Sequence, residues 1–370
     1  MHFSPKSYTL RRGIAACAPR LALLPMALLA ACASNVPLNM PPASAPVSAP
    51  SAPMAAPAPV PTREQQTLRD IITRQDRLYR IAAPLLVKNA ELCKGNARNL
   101  LGFTAKNKYS YSDELADAAS QLYGMDDRLQ VMGVLSSSGA SRAGIRNGDR
   151  LQAVEGTPVP PGPDAERRAA TMLAPFVMKG GSVKLTMNRN GATVPVTVPF
   201  TRACAYSIEL GNADNVNAYN DGRRVLITRG MMDFASNDNE LAYVLAKEMA
   251  HNSLNHARVL KNTAAAGTVI DNLIRVHPDM TGMAGTSGIR PMPQAYDAAA
   301  DTLSLYMVAR AGYDIEGEPR FWERLAAQYP PSMLNAYTAL HPATSYRLSV
   351  MDKIIADIKS KESRQQALLP

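Results

Sequence analysis

The chain has 370 residues, 46% of them hydrophobic and 19% charged, with 28 prolines and a formal charge of +9. That length holds two compact domains with extensions, and the apolar fraction excludes a wholly disordered chain. Its basic side chains form no clustered run, which argues against nucleic acid as a partner.

Lys6, Arg11, Arg12 and Arg20 precede the apolar run Leu21 to Ala31. The run is too short to span a bilayer and has the layout of a secretion signal. Leu29-Ala30-Ala31-Cys32 resembles a bacterial lipobox. That resemblance implies loss of residues 1–31 and a lipid on Cys32, with the formal charge falling from +9 to +5 as four basic side chains leave. Ala33, where aspartate would mark retention, resembles the default outer-membrane sorting pattern, so the expected location is the outer membrane, facing the periplasm. Residues 32–62 are rich in Pro, Ala and Ser and read as a tether. Cys17 leaves with the signal and Cys32 carries lipid, so Cys93 and Cys204 remain. In an oxidising compartment they suggest one disulfide, with two free buried thiols as the alternative.

Residues 63–127 read as a helical segment. Leu68, Ile71, Ile72, Leu78, Ile81, Leu85 and Leu86 recur at helical spacing within 63–101, and a short polar connection follows. Over residues 128–200 the character changes to strands and turns. Val131 to Leu135 leads to Ala143-Gly144-Ile145, then Gly148-Asp149-Arg150-Leu151 and Val154-Glu155-Gly156-Thr157-Pro158-Val159. Val183–Met187 and Thr193–Val198 alternate around Asn190-Gly191, a favoured tight-turn pair. This succession resembles a PDZ domain of the kind attached to bacterial envelope proteases. The resemblance implies that extended C-terminal peptides add to a sheet edge. Leu122-Tyr123-Gly124-Met125 is the segment offered as the carboxylate nest, and a purely structural spacer is the alternative.

In residues 203–357, Asn217-Ala218-Tyr219 and Val225 to Thr228 read as strands separated by Asp221-Gly222. A helix follows, opened by Asn237 and Glu240 in capping-box relation, with Leu241, Val244 and Leu245 on its apolar face. It contains Lys247-Glu248-Met249-Ala250-His251, which is H-E-x-x-H with lysine at the first metal-ligand position. His256 trails it by five residues, about 140° around a continuing helix, and so is expected to be structural and not to share a metal site with His251. His277 reads as a loop residue and 278–293, rich in glycine and proline, as a mobile lid. Helices follow from Asp297 to Arg310 and from near Pro319, and 358–370 is a tail.

Gly230-Met231-Met232, Glu240 to Ala246, Ala300-Asp301, Ala311 to Asp314, Phe321-Trp322 and His341-Pro342 with Arg347 together resemble metallopeptidase family 48, the group of the CAAX prenyl, HtpX-like and BepA-like proteases. The implied fold class is α+β: a zincin-like, mostly helical peptidase domain with a small sheet, preceded by the PDZ-like domain and the helical segment. The implied metal is zinc, with the third ligand falling on Asp297. Aspartate there replaces the family's glutamate and shortens its reach by about 1.5 Å. Lys247, His251 and Asp297 would surround the metal position, Glu248 would act as general base and Asp301 would orient the ligands. His341 would approach the metal or the tetrahedral intermediate, with Arg347 nearby.

An ammonium has no lone pair to give zinc, and neutralising a lysine at pH 7 costs about 4–5 kcal/mol. Lys247 is therefore expected to stand in for the metal, paired with Asp297 and with Glu248. Three functions follow: an active zinc endopeptidase acting on unfolded polypeptide laid along an edge at Val225–Thr228, a non-catalytic peptide-binding lipoprotein, or a structural lipoprotein.

Overall fold

The computed structural model describes residues 60–257, 291–332 and 334–370. The signal, Cys32, most of the tether, His277 and the glycine- and proline-rich stretch as far as residue 290 lie outside them.

Helix α1 spans Arg63–Lys88. Thr62 Oγ1 accepts from Gln65 N at 3.2 Å, and Gln65 Oε1 accepts from Thr62 N at 3.1 Å, satisfying both ends of a capping box. The helix stops short of residue 101, where the sequence suggested its end. Asn89 terminates it, donating to the carbonyls of Leu85 at 3.0 Å and Met307 at 2.9 Å. Next come β1 (Ala97–Leu100), β2 (Phe103–Lys106), α2 (Asp113–Tyr123), β3 (Gln130–Val134) and α3 (Gly139–Arg142). They are followed by β4 (Arg150–Val154), β5 (Thr157–Pro158), α4 (Ala165–Lys179), β6 (Ser182–Arg189), β7 (Ala192–Pro199) and β8 (Thr201–Cys204).

Strand β1 pairs antiparallel with β8, Ala97 opposite Cys204, and a Cys93–Cys204 disulfide closes the base of this ribbon. The intervening residues enter and leave through one two-stranded neck. A cross-link across 111 residues of chain contributes about 2–4 kcal/mol by restricting the unfolded state.

Those residues form a sheet of order β2-β3-β4-β6-β7, with β5 beside β4. Val131, Leu151, Val183, Leu185, Met187 and Val198 pack beneath it against Ala165, Ala169 and Leu173 of α4. The β6–β7 hairpin turns at Asn190 and Gly191, whose φ values of 51° and 88° are the pair that a tight two-residue turn requires. Two expectations are corrected. The sheet begins at Phe103, ahead of residue 128, because β2 is too short to show a period within a polar stretch. The Leu122–Met125 segment offers no free nest: the N–H groups of Gly124 and Met125 bond to Ser120 O at 3.0 Å and Ala119 O at 3.4 Å, closing the end of α2.

The remaining elements are β9 (Ser207–Gly211), β10 (Ala218–Asn220), β11 (Arg224–Thr228), α5 (Arg229–Phe234) and α6 (Asp238–Ser253). After the undescribed stretch come α7 (Gln294–Ala311), α8 (Glu318–Gln328), α9 (Ala336–Leu340) and α10 (Ser345–Ser363). The second half of α1 belongs to this core through Leu78, Ile81, Leu85 and Leu86, while its first half packs Leu68 and Ile72 on α2. The helical segment thus divides between two cores. The small sheet runs β10-β11-β9, so Val225–Thr228 lies in its centre with both sides paired, and β10 is the edge facing the motif helix. A central strand has no free backbone groups for a substrate, which removes it as the docking edge.

Every residue of α6 from Leu241 to Ser253 is buried, not just the expected apolar face, because helices and sheet pack all around it. Asn237 Oδ1 caps it from Glu240 N at 3.0 Å, while Glu240 Oε2 reaches back to Ser236 N at 2.8 Å, one residue beyond the expected box. Arg77 of α1 donates to the carbonyls of Met232, Ala235 and Asn237 at 3.0, 2.9 and 2.9 Å, clamping the turn that launches α6.

Candidate active site

Burying α6 against α7 forces their polar side chains to find one another, since an unpaired buried charge is costly. Lys247, Glu248 and His251 come from α6, Asp297 and Asp301 from α7, His341 from the residue after α9, and Arg347 from the first turn of α10. All are buried, and Lys247 is 0% exposed.

Lys247 Nζ lies 3.0 Å from Asp297 Oδ1 and donates a short hydrogen bond to Asp301 Oδ1. Asp301 is therefore a direct partner of the lysine, beyond the orienting role expected of it. Arg347 grips the same carboxylate, Nε to Oδ2 at 2.7 Å and Nη2 to Oδ1 at 2.9 Å. Its Nη1 donates to the carbonyls of His341 and Pro342, both at 2.9 Å, fixing the segment that presents His341. His341 Nδ1 donates to Asp297 Oδ1 at 2.7 Å. Two cations, Lys247 and Arg347, thus face two carboxylates, and this group is neutral as it stands.

Burial alone would raise the pKa of both aspartates. His341 and Lys247 outweigh it for Asp297, and Lys247 with Arg347 for Asp301, holding both below the usual carboxylate range. Burial pushes the His251 imidazole down to about 3, against the pull of Asp297, so it is neutral at pH 7.

Glu248 does not pair with Lys247, contrary to expectation. Its Oε2 accepts from Asn220 Nδ2 at 2.6 Å, at the end of β10, and its buried Oε1 makes no hydrogen bond among the described residues. Asn252, one turn further along α6, ties the same hairpin, accepting from Gly222 N at 2.5 Å and donating to Arg224 O at 3.0 Å. Strand β10, which ends its sheet among the described residues, is in this way registered to the motif helix.

His256 corrects the helical-wheel reading. Helix α6 ends at Ser253 and Asn255 adopts φ 58°, so the chain folds back and brings His256 Nδ1 to 2.9 Å from His251 Nδ1. A wheel drawn past residue 253 places a side chain on a helix that no longer exists. Asn220, Tyr337 and Glu318 carried no sequence signal. Tyr337 packs on His341, ring centroids 5.1 Å apart, with its buried hydroxyl making no hydrogen bond among the described residues.

Glu318 lies under the network, accepting from Trp322 Nε1 at 3.2 Å. Burial and then the charge of Asp301 push its pKa up to about 8. The unfolded chain would release this proton near 4.5 while the fold keeps it, so between those values the native state binds more protons and stability falls as pH rises. Urea unfolding of wild type between about pH 5 and pH 8 should show a slope of up to ~1.4 kcal/mol per pH unit from this group. Glu318→Gln should flatten it; an unchanged slope would remove Glu318 as its source.

His251, Asp297 and His341 each bring one donor atom within 4.8 Å of the others, the metal-ligating group found among the described residues. Two imidazole nitrogens and a carboxylate are donors of the kind zinc takes. The model of peptidase family M48 matches residues 192–355, which hold this whole cluster. Those residues belong to peptidase family M48.

The chain is similar to the beta-barrel assembly-enhancing proteases of Yersinia pestis, 27% identical over 187 residues, and Escherichia coli K12, 26% over 159. These alignments cover 45% and 37% of this chain and 36% and 32% of the relatives, so the chain matches about a third of their length. The mitochondrial metalloendopeptidase OMA1 of Schizosaccharomyces pombe is 23% identical over 38% of this chain and 43% of its own. Among solved structures, HtrA-type protease AlgW with decapeptide covers 29% of this chain and 30% of its own, at 22% identity and TM-score 0.22. The HtrA3 PDZ domain bound to a phage-derived ligand covers 29% and 88%, at 18% identity and TM-score 0.21.

Lys247 decides how well a metal fits the M48 site. A zinc ion bound to Asp297 Oδ1 at about 2.2 Å would lie at most about 5 Å from the ammonium that shares that oxygen at 3.0 Å. A dication and a unit charge at that separation repel by about 6 kcal/mol at an effective dielectric of 20, roughly four decades of affinity. The donor set suits zinc; the charged lysine does not.

Proposed function

We propose that this chain is an exported, lipid-anchored envelope protein whose M48 domain holds extended polypeptide without turning it over, the Lys247 ammonium taking the place of a catalytic cation. One observation carries this reading: Lys247, fully buried, bonds both Asp297 and Asp301 in a group that is already neutral. Cys32 is the proposed lipid site, and the proposed location is the outer membrane facing the periplasm. No described helix is long and apolar enough to cross a membrane.

Two strands that end their sheets among the described residues support peptide binding. Strand β10 lies beside Glu248. Strand β2 pairs only with β3 among the described residues, and partly buried Phe103, Ala105, Met172 and Phe176 pack against the same apolar cluster. We read residues 103–200 as a PDZ-like domain taking apolar C-terminal peptides along β2, with backbone bonds supplying affinity and nearby apolar side chains supplying selectivity.

A second reading, an active zinc endopeptidase, draws support from two buried atoms, His251 Nε2 and Glu248 Oε1, that make no hydrogen bond among the described residues. In it His251, Asp297 and His341 would hold the metal, which would supply Lewis acidity, and Glu248 would take the proton of an attacking water. Metal analysis and turnover of an unfolded protein substrate separate the two. The first reading expects substoichiometric zinc and peptide binding without cleavage. Stoichiometric zinc with cleavage that stops in Glu248→Gln would overturn it.

A further inference from the structure

We infer that His256 is a positioning residue for His251, fixing which imidazole nitrogen faces the Asp297–His341 cluster. The two Nδ1 atoms are 2.9 Å apart, both rings are buried, and their planes are inclined by 67°. Two nitrogens at that distance share one proton, one ring donating and the other accepting. Whichever ring donates, Nδ1 of His251 is occupied, and Nε2, 3.5 Å from Asp297 Oδ1, is the nitrogen left to the cluster. His256 is itself held by stacking on Tyr296, centroids 4.9 Å apart and planes 17° from parallel. Tyr296 precedes Asp297 on α7, so the same helix that brings the carboxylate also fixes the histidine behind His251. The left-handed turn at Asn255 is what allows this return.

This inference rests on the side-chain geometry and holds whether or not zinc binds. In the full chain with 15N-labelled histidine, a scalar coupling across the N–H···N bond should connect the two Nδ1 resonances. A second measurement uses zinc as a probe in Lys247→His. There His256→Phe, which keeps the ring on Tyr296, should weaken zinc about 10–100-fold, the usual loss when a ligand's outer partner is removed. His256→Asn, which returns a polar atom near the Nδ1 position, should recover most of it. Absence of the coupling, or equal zinc affinity in His256→Phe and its parent, would overturn the proposal. Loss of the fold in both His256 variants would also overturn it, by making the residue a packing element. Should Lys247→His bind no zinc, the coupling alone decides.

Discussion

Replacing Lys247 by methionine should cost about 3–5 kcal/mol of stability, because it leaves two buried carboxylates facing one guanidinium. For a cooperative unit of about 150–250 residues, the size of the domain around this site, that is a fall in Tm of about 6–20 °C. Methionine keeps much of the volume, so lost packing is a small part of the effect. The loss should also depend on pH. Asp297 and Asp301 have folded pKa values below their unfolded ones, so the stability they contribute is present above about pH 4 and disappears as pH falls through the folded values. Removing the ammonium weakens that depression, so wild type and Lys247→Met should differ most near neutrality and converge in acid. Thermal melts of both proteins across that range make the measurement. A variant as stable as wild type at pH 7 would mean that the ammonium does not hold these carboxylates.

The double variant Lys247→His, Asp297→Glu should acquire zinc. It replaces the repelling cation with an imidazole and restores the longer carboxylate, removing the ~6 kcal/mol penalty and raising affinity by about four decades. Native mass spectrometry should find stoichiometric zinc in the variant and little in wild type. Glu248, whose Oε1 makes no hydrogen bond among the described residues, would then face a metal centre, and cleavage of an unfolded substrate should appear and vanish again with Glu248→Gln. A folded double variant that remains zinc-free would show that the site has diverged in more than these two ligands. Arg347 is the residue to inspect in that event, since its hold on Asp301 and on the His341 carbonyl sets the spacing of the cluster.

Much of the site is legible in the sequence because helical spacing is a short-range rule. Glu248 and His251 share a helix, as do Asp297 and Asp301, and each pair is set by backbone geometry alone. Errors arise where partner choice depends on packing. Glu248 turns to Asn220, on a strand that spacing cannot relate to it, and Lys247 turns to Asp301. His256 was misplaced because its position depends on where α6 stops, and that depends on one residue, Asn255, taking a left-handed conformation. Val225–Thr228 read as an edge for a similar reason. An apolar strand looks the same in sequence whether one or both of its sides are paired.

The chain's residues by themselves determined the family-like succession of motifs, the helix carrying Glu248 and His251, the Asn190-Gly191 hairpin and the substitution at position 247. Each is set within a few residues, by dihedral preference, hydrophobic period or side-chain chemistry. Tertiary structure alone decided that Lys247 lies between two aspartates, that Arg347 completes the charge balance, and that His256 stands behind His251. These depend on burying α6 between α1, α7 and the sheet. Inside that low-dielectric core each charge needs a partner, and the partners come from wherever the fold brings a side chain within reach.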